Sequence, residues 1–238
     1  MPPAVSARSA LRDTSLIASL AAVYWAAAWI GLRYVTIGHS VSLVWPPAGL
    51  AFAALVLLGP RMWPGVTLGA FVANAMTPVP LAAAAGIALG NTGEALVAAL
   101  ILRRIAGSRP QLEEPRHVRV LLFVAAPLGA LVAALFGVAA LRLSGALDAL
   151  AALRALPTWW AGDMLGLVIV APVCFSWATR PLARDTRRVL EVVALVVGTA
   201  VAADLGLLQS AYVPGLRAVE YTYLLFPFVV WAAVRFGP

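Results

Sequence analysis

The chain has 238 residues, of which 63% are hydrophobic and only 11% charged, with a mean hydropathy of +0.94. So few charges cannot cover the surface of a soluble domain of this length, which makes the chain a polytopic membrane protein. Its formal charge of +7 comes from arginines placed between apolar segments, where topology signals belong, and this excludes a nucleic-acid partner.

A short polar N-terminus with Arg8 and Arg12 precedes a first apolar run over 14–32. That run is too long for a signal-peptide core and reads as a retained span. Further runs at 43–58, 63–76, 80–102, 118–141, 158–178, 189–208 and 221–236 predict an all-α, polytopic transmembrane bundle. At roughly 20 apolar residues per span, the chain has room for about eight. The second and third runs are short for full spans and are expected to tilt, or to pair as a broken hairpin around Gly59 and Pro60. With the N-terminus inside, only Arg33, Arg142, Arg154 and Arg217 of the 17 basic residues fall outside, which places both termini in the cytoplasm. The sequence stops abruptly at Phe236, Gly237 and Pro238, and is expected to be cut short at its C-terminus.

Catalytic signatures are scarce. No glycine-rich nucleotide loop, metal-ligand cluster or nucleophile elbow occurs, so neither an enzyme nor a cofactor is expected. His39 and His117 fall in loops on opposite sides of the membrane. The lone cysteine, Cys174, sits in an apolar run and reads as a small buried hydrophobe.

The second run opens on SLVWPPAGLAF at 42–52. Proline has no backbone donor and keeps the preceding residue out of helix, so Trp45, Pro46 and Pro47 at membrane depth must be accommodated by surrounding protein. The same two prolines are equally what starts a helix cleanly. In the fourth run, GNTGE at 90–94 puts Asn91 and Glu94 on one helical face, midway through the bilayer. A carboxyl there costs at least about 2.5 kcal/mol by insertion scales unless it is paired, so it faces the bundle interior. It either ties neighbouring helices together or meets a ligand or proton directly. The sixth run begins WWAGD: Trp159 and Trp160 suit the interfacial belt, while Asp163 lies a turn into apolar sequence between Gly162 and Gly166. Asn74, near the outer end of the third run, and Asp204, near that of the seventh, fall at similar depth.

Together these residues predict an outward-opening cavity, floored by Asn91 and Glu94 and walled by Trp45, Trp159 or Trp160, Asn74 and Asp163. Aromatic walls with one or two carboxylates suit a small cationic or amphipathic ligand, or a proton. The glycine pairs 65/69, 86/90 and 162/166 are spaced for close helix approach. In a bundle of this size they read as internal packing first and as a homodimer face second.

The same residues carry a resemblance. VWPPAGLAFAALVLLGPRMWPGVTLGAFVAN at 44–74, GIALGNTGEALVAALILRR at 86–104, WWAGDMLGLVIVAPV at 159–173 and LLFPFVVWAAVRFGP at 224–238 resemble the first membrane-associated sensor (MASE) family of bacterial signalling proteins in order and spacing. The resemblance implies a single integral-membrane sensory input domain over 1–238 in the bacterial inner membrane. It further implies relay of a small ligand or membrane state to a cytoplasmic output such as a histidine kinase or diguanylate cyclase. It supplies no ligand, and the sequence contains no output domain. Intramembrane carboxylates and broken helices leave a small-molecule or proton-coupled transporter as the alternative, although no inverted repeat links the two halves. A structural assembly domain with another membrane protein as partner is a third reading.

Overall fold

The computed structural model describes residues 7–34, 36–37, 41–42, 44–108, 110 and 114–179, with further helical residues at 190–191, 194–195 and 198. The chain divides into two compact units, Met1–Thr179 and Arg180–Pro238. In the second unit the described residues are helical. The expected span at 189–208 lies largely outside the described residues, and the span at 221–236, Asp204, His39 and the C-terminus lie wholly outside them.

The first unit is built from helices α1 (Ala7–Tyr34), α2 (Pro46–Leu58), α3 (Trp63–Ala75), α4 (Leu81–Ala106), α5 (Pro115–Val120), α6 (Ala126–Leu143) and α7 (Ala149–Thr179). One two-residue antiparallel ladder, Thr36 with Ser42 and Ile37 with Val41, lies between α1 and α2. Among the described residues, four helical stretches are long and apolar enough to cross a membrane: Leu11–Leu32, Leu81–Ala106, Pro115–Leu143 and Ala149–Ala178. The six expected runs before residue 180 thus each coincide with a helix. The sixth starts earlier than its apolar run, at Ala149, because Asp148 Oδ1 accepts from the Ala151 N–H at 2.7 Å and caps the first turn.

Prolines shape the breaks. Helices α2 and α3 have 13 residues each, roughly 20 Å at 1.5 Å per residue and short of the roughly 30 Å hydrocarbon core. They are joined by Gly59, at φ 107°, and a 3-10 turn over Pro60–Met62. Pro60 has no N–H to return to the Val56 carbonyl four residues back. Arg103 of α4 supplies that donor from its guanidinium and places a positive charge at the helix C-terminus. Pro127 likewise cannot bond back to Phe123, and the chain takes a π turn at Leu121–Ala125, in which the Ala126 N–H reaches Leu121. That turn makes α5 and α6 one continuous span.

The helices form two layers of three: α1, α2 and α7 in one, α3, α4 and α6 in the other. Across the layers α1 faces α3, α2 faces α4 and α7 faces α6. The two arms of the α2–α3 hairpin pack on other helices rather than on each other, α2 chiefly on α7 and α4, and α3 on α1 and α4. Chain direction follows from glycine contacts: Gly65 and Gly69 of α3 climb past Ile17 and Ala21 of α1, and Gly86 and Gly90 of α4 descend past Ala140 and Ala133 of α6. The interior is small, with Ala51, Ala70, Ala95, Ala98, Ala130 and Ala134 fully buried, while Leu89, Phe123, Leu135 and Trp177 point outward. Small inside and large outside is the arrangement of helices packed in lipid. Arg61, Arg103 and Arg104 fall at the end of the bundle where α1 begins, with Arg61 on Asp13 at 3.1 Å, and Arg142 falls at the other end.

The middle helices α2 and α4 are held by their neighbours, and the tightest approach is between α2 and α7. A Cβ on Gly166 would lie 2.0 Å from the Trp45 carbonyl oxygen, and one on Gly49 would lie 2.2 Å from the Gly166 carbonyl oxygen. Below, Phe52 and Phe175 meet edge to face with centroids 5.8 Å apart. Gly166→Val and Gly49→Val should each destabilise the bundle by about 3 kcal/mol or more, the top of the overpacking range, because backbone and not a side chain must yield. Thermal unfolding of the purified variants in detergent checks this; wild-type melting of both would mean that α2 and α7 are not in backbone contact.

Candidate functional site

Trp45 is the residue around which the site assembles. It precedes two prolines at the first turn of α2, so its own N–H has no helical role, and it donates to the Gly162 carbonyl of α7 at 2.9 Å. Its carbonyl accepts from Ala48 at 3.1 Å. Gly162 lies near the middle of α7, so α2 begins midway along its neighbour. Pro46 and Pro47 act as starters of α2, with Pro47 fully buried.

From this start a polar cluster extends across the layers. The Trp45 indole donates to the Tyr24 hydroxyl of α1. Asn91 of α4 donates to the same hydroxyl from Nδ2 at 2.9 Å. Glu94, one turn further on α4, lies in electrostatic range of Asp163 on α7, and both carboxyls act on Tyr24. Trp159, one turn before Asp163, donates to it. Tyr24, Glu94, Asp163 and Asn91 are 0, 1, 1 and 3% exposed, so this is packed protein and not the open cavity expected. Glu94 falls near the middle of α4 and Asp163 near the middle of α7, level with one another.

Two expected members lie apart. Asn74 donates from Nδ2 to the Ala70 carbonyl at 2.8 Å and takes part in closing α3, where Thr77 Oγ1 donates to its own carbonyl at 2.7 Å. It adjoins a shallow cleft of about 260 Å³ lined by Trp25, Trp29, Leu32, Ala73, Met76 and Thr77. Trp160 donates its indole N–H to the Pro127 carbonyl of α6 at 2.9 Å. Neither tryptophan of the WW pair begins α7, since that helix starts at Ala149. Tyr24 is the member that sequence reasoning missed. A hydroxyl in the middle of an otherwise apolar first span was the available signal, because a buried tyrosine must find a hydrogen-bond partner.

The cluster is rich in acceptors. Both carboxylate oxygens of Glu94, Oδ2 of Asp163 and Oδ1 of Asn91 are buried without a hydrogen-bond partner among the described residues. The acid–base contacts described, Arg61 with Asp13 and His117 with Glu114, lie elsewhere. Ionising either acid here without a partner would cost several kcal/mol.

Apolar helices of spanning length packed around a buried acid pair define an integral-membrane helical domain. Residues 15–238 match the MASE1 family model, and the chain belongs to that family of membrane sensory domains. Comparison with curated proteins and with solved structures yields no match.

Tyr24→Phe should destabilise the domain by about 1–3 kcal/mol, since it strips the acceptor from two buried donors, Asn91 Nδ2 and the Trp45 indole. Asn91→Leu in the same background should cost less than in the wild type. A double-mutant cycle on thermal unfolding measures the coupling, and strict additivity would mean that Tyr24 and Asn91 do not share a hydrogen bond.

Proposed function

We propose that this domain is the sensory input of a bacterial signalling system, sited in the inner membrane with both termini in the cytoplasm. In this reading the Tyr24–Asn91–Glu94–Asp163 cluster receives the signal, with Trp45 and Trp159 orienting it and Pro46 and Pro47 setting the start of α2. Asn74 and Trp160 support the surrounding helices. The observation that carries the proposal is the burial of two carboxyl groups with unpartnered oxygens where α1, α2, α4 and α7 converge. Compensation of those oxygens by a small ligand, or a change in the surrounding membrane, shifts the balance between two packings of α2 on α7. The shift has to differ in free energy between those packings to be a signal. Helix α7 then carries it past Thr179 towards a cytoplasmic output, for which a histidine kinase or diguanylate cyclase is the expected type. The one-sided arginines support that orientation.

In a chain joined to its output, Glu94→Gln and Asp163→Asn should lock the output at one level and abolish regulation, with membrane abundance held near wild type. Reporter activity against immunoblotted protein measures this. Regulation that survives both substitutions would sink the sensory role of the cluster.

A transporter is the second reading, and one feature favours it: α2 starts midway along α7 beside buried carboxyls, as broken helices do in many carriers. Proteoliposomes decide between them, because flux abolished by Glu94→Gln belongs to transport alone.

A further inference from the structure

The chemistry of the cluster specifies its occupant more narrowly than a small ligand. Four oxygens are buried without a donor among the described residues: Asn91 Oδ1, Glu94 Oε1, Glu94 Oε2 and Asp163 Oδ2. Of the nearby donors, Asn91 Nδ2 and Trp45 serve Tyr24 and Trp159 serves Asp163, and the Tyr24 O–H makes no hydrogen bond to any of the four oxygens. A helix N-terminus ordinarily offers N–H groups to an anion, but the first two residues of α2 are Pro46 and Pro47, whose nitrogens carry no hydrogen. Whatever sits here therefore brings positive charge.

Size and charge narrow it further. The four side chains are at most 3% exposed, and α6 closes the cluster with Gly129, where a Cβ would lie 3.0 Å from the Glu94 carbonyl oxygen and 3.6 Å from Glu94 Cγ. Side chains so buried admit no organic cation beside them. Carboxylate and amide oxygens are hard ligands, suited to alkali and alkaline-earth ions and not to thiophilic metals. Ca²⁺ takes about 6–8 oxygens and Mg²⁺ keeps several waters, demands that four oxygens in a water-excluded site do not meet.

We infer that the cluster binds one dehydrated monovalent inorganic cation of the sodium class, held by Glu94, Asp163 and the amide oxygen of Asn91, with one proton kept between the two carboxyls so that the buried charge balances. This deepens the sensory reading and rests on it for the ion's role as signal. The titratable groups facing the ion are Tyr24 from α1, Glu94 from α4 and Asp163 from α7. Helix α2 presents Trp45 and α6 presents Gly129, and among the described residues no arginine or histidine acts on either carboxyl.

The test uses the full chain, purified in detergent and melted in NaCl against N-methylglucamine chloride at equal ionic strength, with KCl and CaCl₂ arms and radioactive sodium binding alongside. NaCl should raise the Tm saturably by roughly 5–10 °C. Glu94→Gln and Asp163→Asn should each lower sodium binding at least tenfold. KCl acting like NaCl supports the monovalent site; stabilisation by CaCl₂ alone overturns it. A wild-type protein with no sodium-specific shift and no bound sodium overturns it too, whatever the variants do, so a variant that fails to fold does not decide the matter. Regulation lost in Glu94→Gln without any sodium binding removes the ion site and leaves the sensory reading. Sodium bound in a protein whose output ignores sodium keeps the site and removes its role as signal.

Discussion

The contact on which the rest depends is the backbone approach of α2 to α7. Two prolines start α2 and relieve its first turn of donors that lipid could not satisfy, which frees the Trp45 N–H for the Gly162 carbonyl. Gly49 and Gly166 remove the side chains that would otherwise hold the helices apart. Close approach is what packs helices in a membrane, where apolar burial offers no net gain over lipid and van der Waals contact with hydrogen bonding must suffice. Fixing the start of α2 midway along α7 is also what carries the Trp45 indole to Tyr24, and Tyr24 to Asn91 and the two acids.

Polar side chains of the described bundle are spent between helices and on the backbone. Pro60 denies Val56 its partner, and Arg103 supplies it. Thr67 and Thr92 pair at 2.8 Å between α3 and α4, and Thr92 also returns a hydrogen bond to Ala88 at 2.7 Å. Against that background the unpartnered oxygens of Glu94, Asp163 and Asn91 stand out. Their isolation is the observation on which the proposed binding role rests.

Much of the architecture was legible from the residues. Hydropathy placed each helix of the first unit, Gly59–Pro60 marked the hairpin, and the glycine pairs at 65/69 and 86/90 proved to be internal contacts to α1 and α6. Asn91, Glu94, Asp163, Trp45 and Trp159 were brought together as the motifs suggested. Depth was less accessible: an apolar run beginning at Thr158 concealed a helix that begins at Ala149, and that shifted Asp163 to mid-helix. Asn74 and Trp160 looked equivalent to their neighbours but are spent on the Ala70 and Pro127 carbonyls.

What the sequence determined by itself was local: apolar length, arginine asymmetry, the proline starts and the small-residue spacings. Each of these acts within a turn or two of helix or through the average environment of a segment, so it can be read without knowing the neighbours. The tertiary structure alone decided which helices adjoin, that Tyr24 sits at the centre, and that the acids meet in packed protein and not in an open cavity. Those outcomes depend on the rotation and depth of one helix against another. A few ångströms of backbone approach at Gly49 and Gly166 set both, and no pattern along a single helix encodes that distance.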